Sequence, residues 1–68
     1  MVIIVNEEKK SVPDGLALSS LFGELGLQGP LKGIAIAIND QIVLQKKWES
    51  TVLQENDKVL IISATKGG

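Results

Sequence analysis

The feature that most constrains this chain is its small size combined with the absence of both cysteine and histidine. Its 68 residues are enough for one domain, and a domain of this size buries only ~60% of the surface that its unfolded chain exposes. Small domains often compensate with disulfides or bound metals. Without cysteine or histidine, disulfides, thiolate zinc sites and the commonest metal ligand are all excluded. We therefore expect no metal site and a fold held together by packing.

The composition also argues against several classes of function. A catalytic triad is impossible without histidine, and the serines have no base to activate them. No glycine-rich loop has the spacing of a phosphate-binding motif, so any nucleotide must be held by another protein. The net charge of −1 gives no sign of nucleic-acid or membrane binding. No segment looks like a targeting signal or a membrane span, and we expect a soluble cytoplasmic protein without a cofactor of its own.

Hydrophobic patterns predict strands on both sides of one main helix. The predicted strands cover residues 2–5, 9–12, 34–38, 42–44 and 59–62, with a short helical turn between residues 45 and 56. The helix is indicated by Leu18, Leu21, Phe22 and Leu25, which recur at the spacing of one apolar stripe. Gly26 follows where a left-handed residue would end the helix.

The clearest predicted strand is Ile34–Ile38, in which large and small side chains alternate. Asn39 and Asp40 follow as a two-residue hairpin signal. Leu21 and Phe22 should pack against the isoleucine side of this strand. Together the elements predict a two-layer α+β roll with a mixed four- to five-stranded sheet, a domain at residues 1–64 and a flexible tail at residues 65–68.

One short helix can cover only one face of such a sheet. The segments at residues 2–5 and 59–62 nevertheless read as strands that are apolar and buried on both faces. Some apolar surface should therefore stay exposed on the open face, and such surface usually marks a partner site. The side of the strand that carries Ala35 and Ala37 is either a tight packing surface or a flat docking site. Trp48 is either a packing anchor or a partner contact.

The chain closes with Gly67 and Gly68, which offer a different kind of chemistry. A diglycine segment lacks both Cβ atoms, so it is thin enough to enter a narrow active site. A terminal carboxylate is unreactive until it is converted to an acyl-phosphate anhydride. This chemistry would require ATP and a partner enzyme.

Several features of the second half of the chain occur in a characteristic order. They are the alternating strand Ile34–Ile38, the turn Asn39-Asp40, the pair Ile42-Val43, then Trp48, Thr51, Leu53, Asp57 before an apolar strand, and Gly67-Gly68. In order and spacing, the chain resembles the ThiS-type sulfur carriers of thiazole (thiamin) biosynthesis, which have the ubiquitin-like β-grasp fold. It departs from their usual pattern at Leu44-Gln45, at Asn56 and at Thr65-Lys66.

The resemblance implies a carrier that is acted on by enzymes and is not itself an enzyme. A ubiquitin-activating-enzyme-like adenylyltransferase would use ATP and Mg²⁺ to adenylate the Gly68 carboxylate. A persulfide sulfur donor would then displace AMP, and the resulting thiocarboxylate would deliver sulfur to a thiazole synthase. Gly67 and Lys66 would supply reach into the partner, and Ala35, Ala37 and Trp48 are candidate residues of a partner-binding face.

Three alternative functions share parts of this pattern. The small subunit of molybdopterin synthase has the same fold and tail. A ubiquitin-like modifier would instead form isopeptide bonds to lysines of target proteins. A plain binding module would use the sheet face without any chemistry at the tail.

Overall fold

The computed structural model describes residues 1–26 and 33–63 of the chain. Its strands are β1 (Val2–Val5), β2 (Glu8–Ser11), β3 (Ile34–Ile38), β4 (Gln41–Val43) and β5 (Lys58–Ser63), with the α-helix α1 (Leu18–Glu24) and a 3₁₀ helix (Gln45–Ser50). The predicted order of elements is confirmed. The differences are small shifts of the strand ends, most clearly in β2 and β4.

The strands form one mixed five-stranded sheet in the order β2-β1-β5-β3-β4. Two antiparallel hairpins, β1–β2 and β3–β4, flank β5. The central strand β5 is parallel to β1 and antiparallel to β3. The strand that leads to the C-terminal residues is therefore held on both sides.

The two hairpins are closed by turns of the same kind. Asn6 and Glu7 in the first turn have φ values of 48° and 72°, and Asn39 and Asp40 in the second have 49° and 71°. Two consecutive positive φ angles match the right-handed twist of the flanking strands. The predicted hairpin at Asn39-Asp40 is thus confirmed, and Asn56 also takes the left-handed conformation, with φ 68°.

The helix buries the predicted apolar stripe against the sheet. Leu18, Leu21 and Phe22 are buried, and the helix, which ends at Glu24, is followed after one residue by Gly26 with φ 73°. The other buried members of the core are Ile3, Val5, Val12, Ile36, Trp48, Leu53 and Val59, with Ile34 and Ile38 packed against them. The predicted packing of Leu21 and Phe22 on the isoleucine side of β3 is confirmed.

The opposite face of the sheet is not covered in the same way. Val2 and Ile4 are half-buried, and Leu60 and Ile62 are exposed. The prediction that strands β1 and β5 are buried on both faces is therefore wrong in this respect. The reason is geometric, since α1 has only seven residues and lies on one face. Within residues 1–26 and 33–63, no helix has the length and apolar character to cross a bilayer.

Candidate functional site

The predicted reacting group lies at the end of the chain. Lys66, Gly67 and Gly68 fall outside the described residues, and so does the predicted tail at residues 65–68. The last described residue is Ser63, which also ends β5. The structural contribution to the site therefore comes from β5 and from the sheet face beside it.

The register of the three strands β5, β3 and β4 assembles an apolar surface on the uncovered side of the sheet. Ala37 lies opposite Leu60 on one side and Ile42 on the other, and Ala35 lies opposite Ile62. We call these five residues the open face. Ile42 is 62% exposed, Leu60 49% and Ile62 45%, whereas Ala37 is only 7% exposed between its larger neighbours. Large apolar side chains that are half-exposed and lie side by side, as these do across the strand pairs, form a contiguous apolar patch of the kind found at docking surfaces.

The two alanines make this surface shallow between its larger side chains. Ala37 and Leu60 line a depression of about 180 Å³ that also contains Ile4. Its margin carries charges of both signs, from Glu7, Asp40 and Lys58. An apolar floor with a charged margin is the general anatomy of a protein–protein contact.

Lysines lie beside Ile4 on the same side of the sheet. Lys9 on β2 and Lys58 on β5 are its direct neighbours across the two ladders. The open face thus has an apolar centre on β3, β4 and β5, and two lysines lie beside Ile4 at its margin. A partner with an apolar patch would match its centre, and an acidic side chain of the partner could pair with these lysines.

Trp48 does not belong to the open face. Its side chain is 3% exposed, and its ring centroid lies 5.5 Å from that of Phe22 on the helix. Its Nε1 donates a hydrogen bond of 2.9 Å to the Val43 carbonyl oxygen. The structure therefore places Trp48 in the core as an anchor for the 3₁₀ helix, and it does not join Ala35 and Ala37.

Sequence reasoning identified the two alanines but missed the larger members of the open face. Ile42 is placed by the two-residue turn at Asn39-Asp40, since such a turn fixes which residues of a hairpin are opposite each other. That signal was available in the sequence. Leu60 and Ile62 depend on the pairing of β5 with β3, which joins residues distant in the sequence.

The described residues contain neither a metal-binding cluster nor an unsatisfied buried polar side chain. Over the ranges 1–26 and 33–63, no group of three or more acidic side chains is arranged to hold a metal ion. No polar side-chain atom of this part of the chain is buried without a hydrogen-bond partner. The arrangement can present a surface to a partner and hold the strand that precedes the terminal glycines.

Comparison with known proteins identifies the family. Residues 2–68 match the family model described as the ThiS family. The chain belongs to the ThiS family. A curated member, the "Sulfur carrier protein ThiS" of Escherichia coli (strain K12), is 29% identical to it over 68 residues, which cover all of both chains.

Two solved structures share the fold. The crystal structure of the thiamine biosynthesis protein (ThiS) from Geobacter metallireducens superimposes with a TM-score of 0.83 at 18% identity, covering all of both chains. The NMR solution structure of a thiamine biosynthesis protein from that organism gives a TM-score of 0.79 at 18% identity, covering all of this chain and 88% of the other. The predicted β-grasp fold and the predicted resemblance to ThiS-type carriers are confirmed.

Proposed function

We propose that this protein is a cytoplasmic sulfur carrier for thiamin biosynthesis and that its working group is the carboxylate of Gly68. The observation that carries the proposal is the family match, which extends over residues 2–68 and so includes both terminal glycines. The curated relative named as a sulfur carrier aligns over the same length. The protein acts as a cosubstrate, and its partners perform the catalysis.

The proposed cycle begins with activation of the carboxylate. A carboxylate oxygen of Gly68 attacks the α-phosphorus of ATP, which is bound with Mg²⁺ in the activating partner, and pyrophosphate leaves. The acyl-adenylate now has a good leaving group. The terminal sulfur of a persulfide attacks its carbonyl carbon and releases AMP, which leaves an acyl disulfide. A second thiol cleaves the S–S bond, is oxidised to a disulfide, and frees the thiocarboxylate.

The two proposed partners require different properties of the chain. The adenylyltransferase and the thiazole synthase must each receive the last residues in a narrow site, for which Gly67 and Gly68 lack obstructing Cβ atoms. Lys66 adds reach. The domain itself supplies recognition, and we assign this role to the open face, where Leu60 and Ile42 expose apolar area to a partner.

The decisive experiment is intact mass spectrometry of the purified chain. It is incubated with the host's ubiquitin-activating-enzyme-like adenylyltransferase, ATP, Mg²⁺, a persulfide donor and a thiol. The expected product is heavier by the difference between one sulfur and one oxygen, and fragmentation should map this difference to Gly68.

The matched control is the same chain with one alanine added after Gly68. Because the carboxylate is displaced by a residue and the α-carbon next to it now carries a Cβ, conversion should fall by on the order of 10²-fold, as for other misplaced reacting groups. Equal conversion of both chains, or sulfur found at another residue, would refute the proposal.

A further inference from the structure

The hydrogen bonds between β1 and β5 change at Asn6 from backbone–backbone bonds to bonds made by a side chain. The Ile4 N–H donates to the Asp57 carbonyl at 2.9 Å, and the Asn6 N–H donates to the Val59 carbonyl at the same distance. These bonds recur at every second residue, as in a parallel ladder. The next bond of that ladder would join the Ile61 N–H to the backbone carbonyl of Asn6.

The side chain of Asn6 takes the place of that backbone carbonyl. Asn6 begins the turn with φ 48°, so the backbone leaves the direction of β1 at this residue. Its Oδ1 accepts a hydrogen bond of 2.8 Å from the Ile61 N–H. Its Nδ2 donates to the Ile61 carbonyl at 3.5 Å, the longer and weaker contact of the two.

Asn39 provides the same device at the other end of β5. Its N–H donates to the Lys58 carbonyl at 2.8 Å, and its Oδ1 accepts from the Lys58 N–H at 3.0 Å. Asn39 also starts a two-residue turn, with φ 49°. In each hairpin, the first strand is therefore followed by an asparagine whose side-chain oxygen makes the next hydrogen bond of the ladder with β5.

The two contacts differ in their distance from the reacting end. Lys58 is the first residue of β5, whereas Ile61 lies two residues before its end at Ser63. The backbone pairing of β1 with β5 covers only Lys58 and Val59. On the β1 side, Asn6 is thus the contact that continues along β5 toward the C-terminal residues.

We propose that Asn6 is a positioning residue for the C-terminal residues, because it fixes the end of β5 from which they continue to Gly68. This inference rests on the proposed function. Loss of the Asn6 side chain would leave the last residues of β5 bonded to β3 alone and free to tilt. Gly68 lies five residues beyond Ser63, so the end of β5 sets the point from which these residues must reach the partner's site, where a misplacement of ~1 Å can cost 10²-fold in rate.

The test compares Asn6→Gly with Asn39→Gly. Glycine accepts positive φ at least as readily as asparagine, so each variant keeps its turn and loses only the hydrogen bonds of the side chain. For Asn39 these include a bond of 3.1 Å that its Nδ2 donates to Asp57 Oδ1. Hydrogen exchange should become faster at the Ile61 amide in the first variant and at the Lys58 amide in the second. Adenylation is measured as carrier-dependent exchange of pyrophosphate into ATP by the activating partner.

The expected result is a split between kcat and KM. Asn6→Gly should lower kcat by on the order of tenfold at unchanged KM for the carrier, since geometry and not docking is altered. Asn39→Gly should keep both parameters of the parent chain. Asn6→Asp should restore most of kcat, because aspartate retains the oxygen that accepts the Ile61 N–H and tolerates positive φ.

Other outcomes would overturn the inference. A change in KM alone would make Asn6 a contact of the partner, since it also lines the depression on the open face. Unchanged kcat in Asn6→Gly with faster exchange at Ile61 would show that the position of β5 does not matter. Failure of the parent chain to be adenylated would instead refute the proposed function, and the role of Asn6 with it.

Discussion

The two faces of β5 differ in what their apolar side chains do. Val59 points into the core and is buried, whereas its neighbour Leu60 points to the other side and is 49% exposed. On β3 the same comparison gives a buried Ile36 and a small Ala37. Both strands supply bulky side chains to the helix-covered face. On the other face, the bulky exposed side chains of the described strands belong to β5 and β4. Apolar area that the fold leaves in water needs another explanation, and a partner surface provides it.

The largest expected effect on stability tests the covered face. Leu21→Ala should lower the free energy of unfolding by about 2–5 kcal/mol, because Leu21 is fully buried and its removal leaves a cavity. Leu60→Ala is the matched substitution on the open face and should cost about 1 kcal/mol or less. Urea denaturation of both variants measures the difference. Equal losses would mean that the open face belongs to the core.

A smaller effect is expected at the anchor of the 3₁₀ helix. Trp48→Phe keeps an aromatic ring near Phe22 but removes the Nε1 donor from the Val43 carbonyl. Loss of a partner for a partly buried carbonyl should cost about 1–3 kcal/mol, measured by the same denaturation. Affinity for the activating partner should not change in the folded fraction. A variant that folds normally but binds the partner weakly would return Trp48 to the partner-binding face.

A charge introduced on the open face should have little effect on stability and a large effect on partner binding. Leu60→Glu should change the free energy of unfolding by less than about 1 kcal/mol, since the new carboxylate reaches water. It should weaken binding to the adenylyltransferase by at least about tenfold, because the charge loses its water in the complex. Ser19→Glu, on the exposed side of α1, is the control for charge alone. Isothermal titration calorimetry distinguishes them, and equal affinities would remove the open face from the site.

Local features of the fold could be predicted from the sequence. The stripe of Leu18, Leu21 and Phe22 requires only the helical period, and Asn39-Asp40 requires only the preference of these residues for positive φ. Gly26 ends the helix for a similar reason. In each case the determining residues are neighbours in the chain, so tertiary structure does not change the outcome.

Features that depend on contacts between residues far apart in the chain could not be predicted from the sequence. The location of Trp48 follows from its contacts with Phe22 and Val43, and nothing in the residues around it decides between core and surface. The exposed side of β5 follows from its place between β1 and β3. Asn6 looks like an ordinary turn residue until Ile61 is found beside it, 55 positions along the chain.

Deletion of the terminal glycines should have the smallest effect on stability of all these changes and the largest effect on function. The buried side chains within residues 1–26 and 33–63 all lie between Ile3 and Val59. Deletion of Gly67 and Gly68 removes no apolar or capping side chain, so the melting temperature should stay almost unchanged. The same deletion should abolish carrier-dependent pyrophosphate exchange, because the Gly68 carboxyl carbon is absent and the new terminal carboxylate, on Lys66, is out of reach of the adenylation site.

The deletion separates a carrier from a binding module because the two functions place different demands on the ends of the molecule. A module that acts through the open face would keep its partner affinity after the deletion and show no chemistry before it. A carrier would keep most of its docking through Leu60 and Ile42 and lose all of its turnover. Calorimetric titration and pyrophosphate exchange on the same preparation measure the two properties independently. If exchange persists without the diglycine, the reacting group is elsewhere in the chain and Gly68 is not the sulfur-carrying residue.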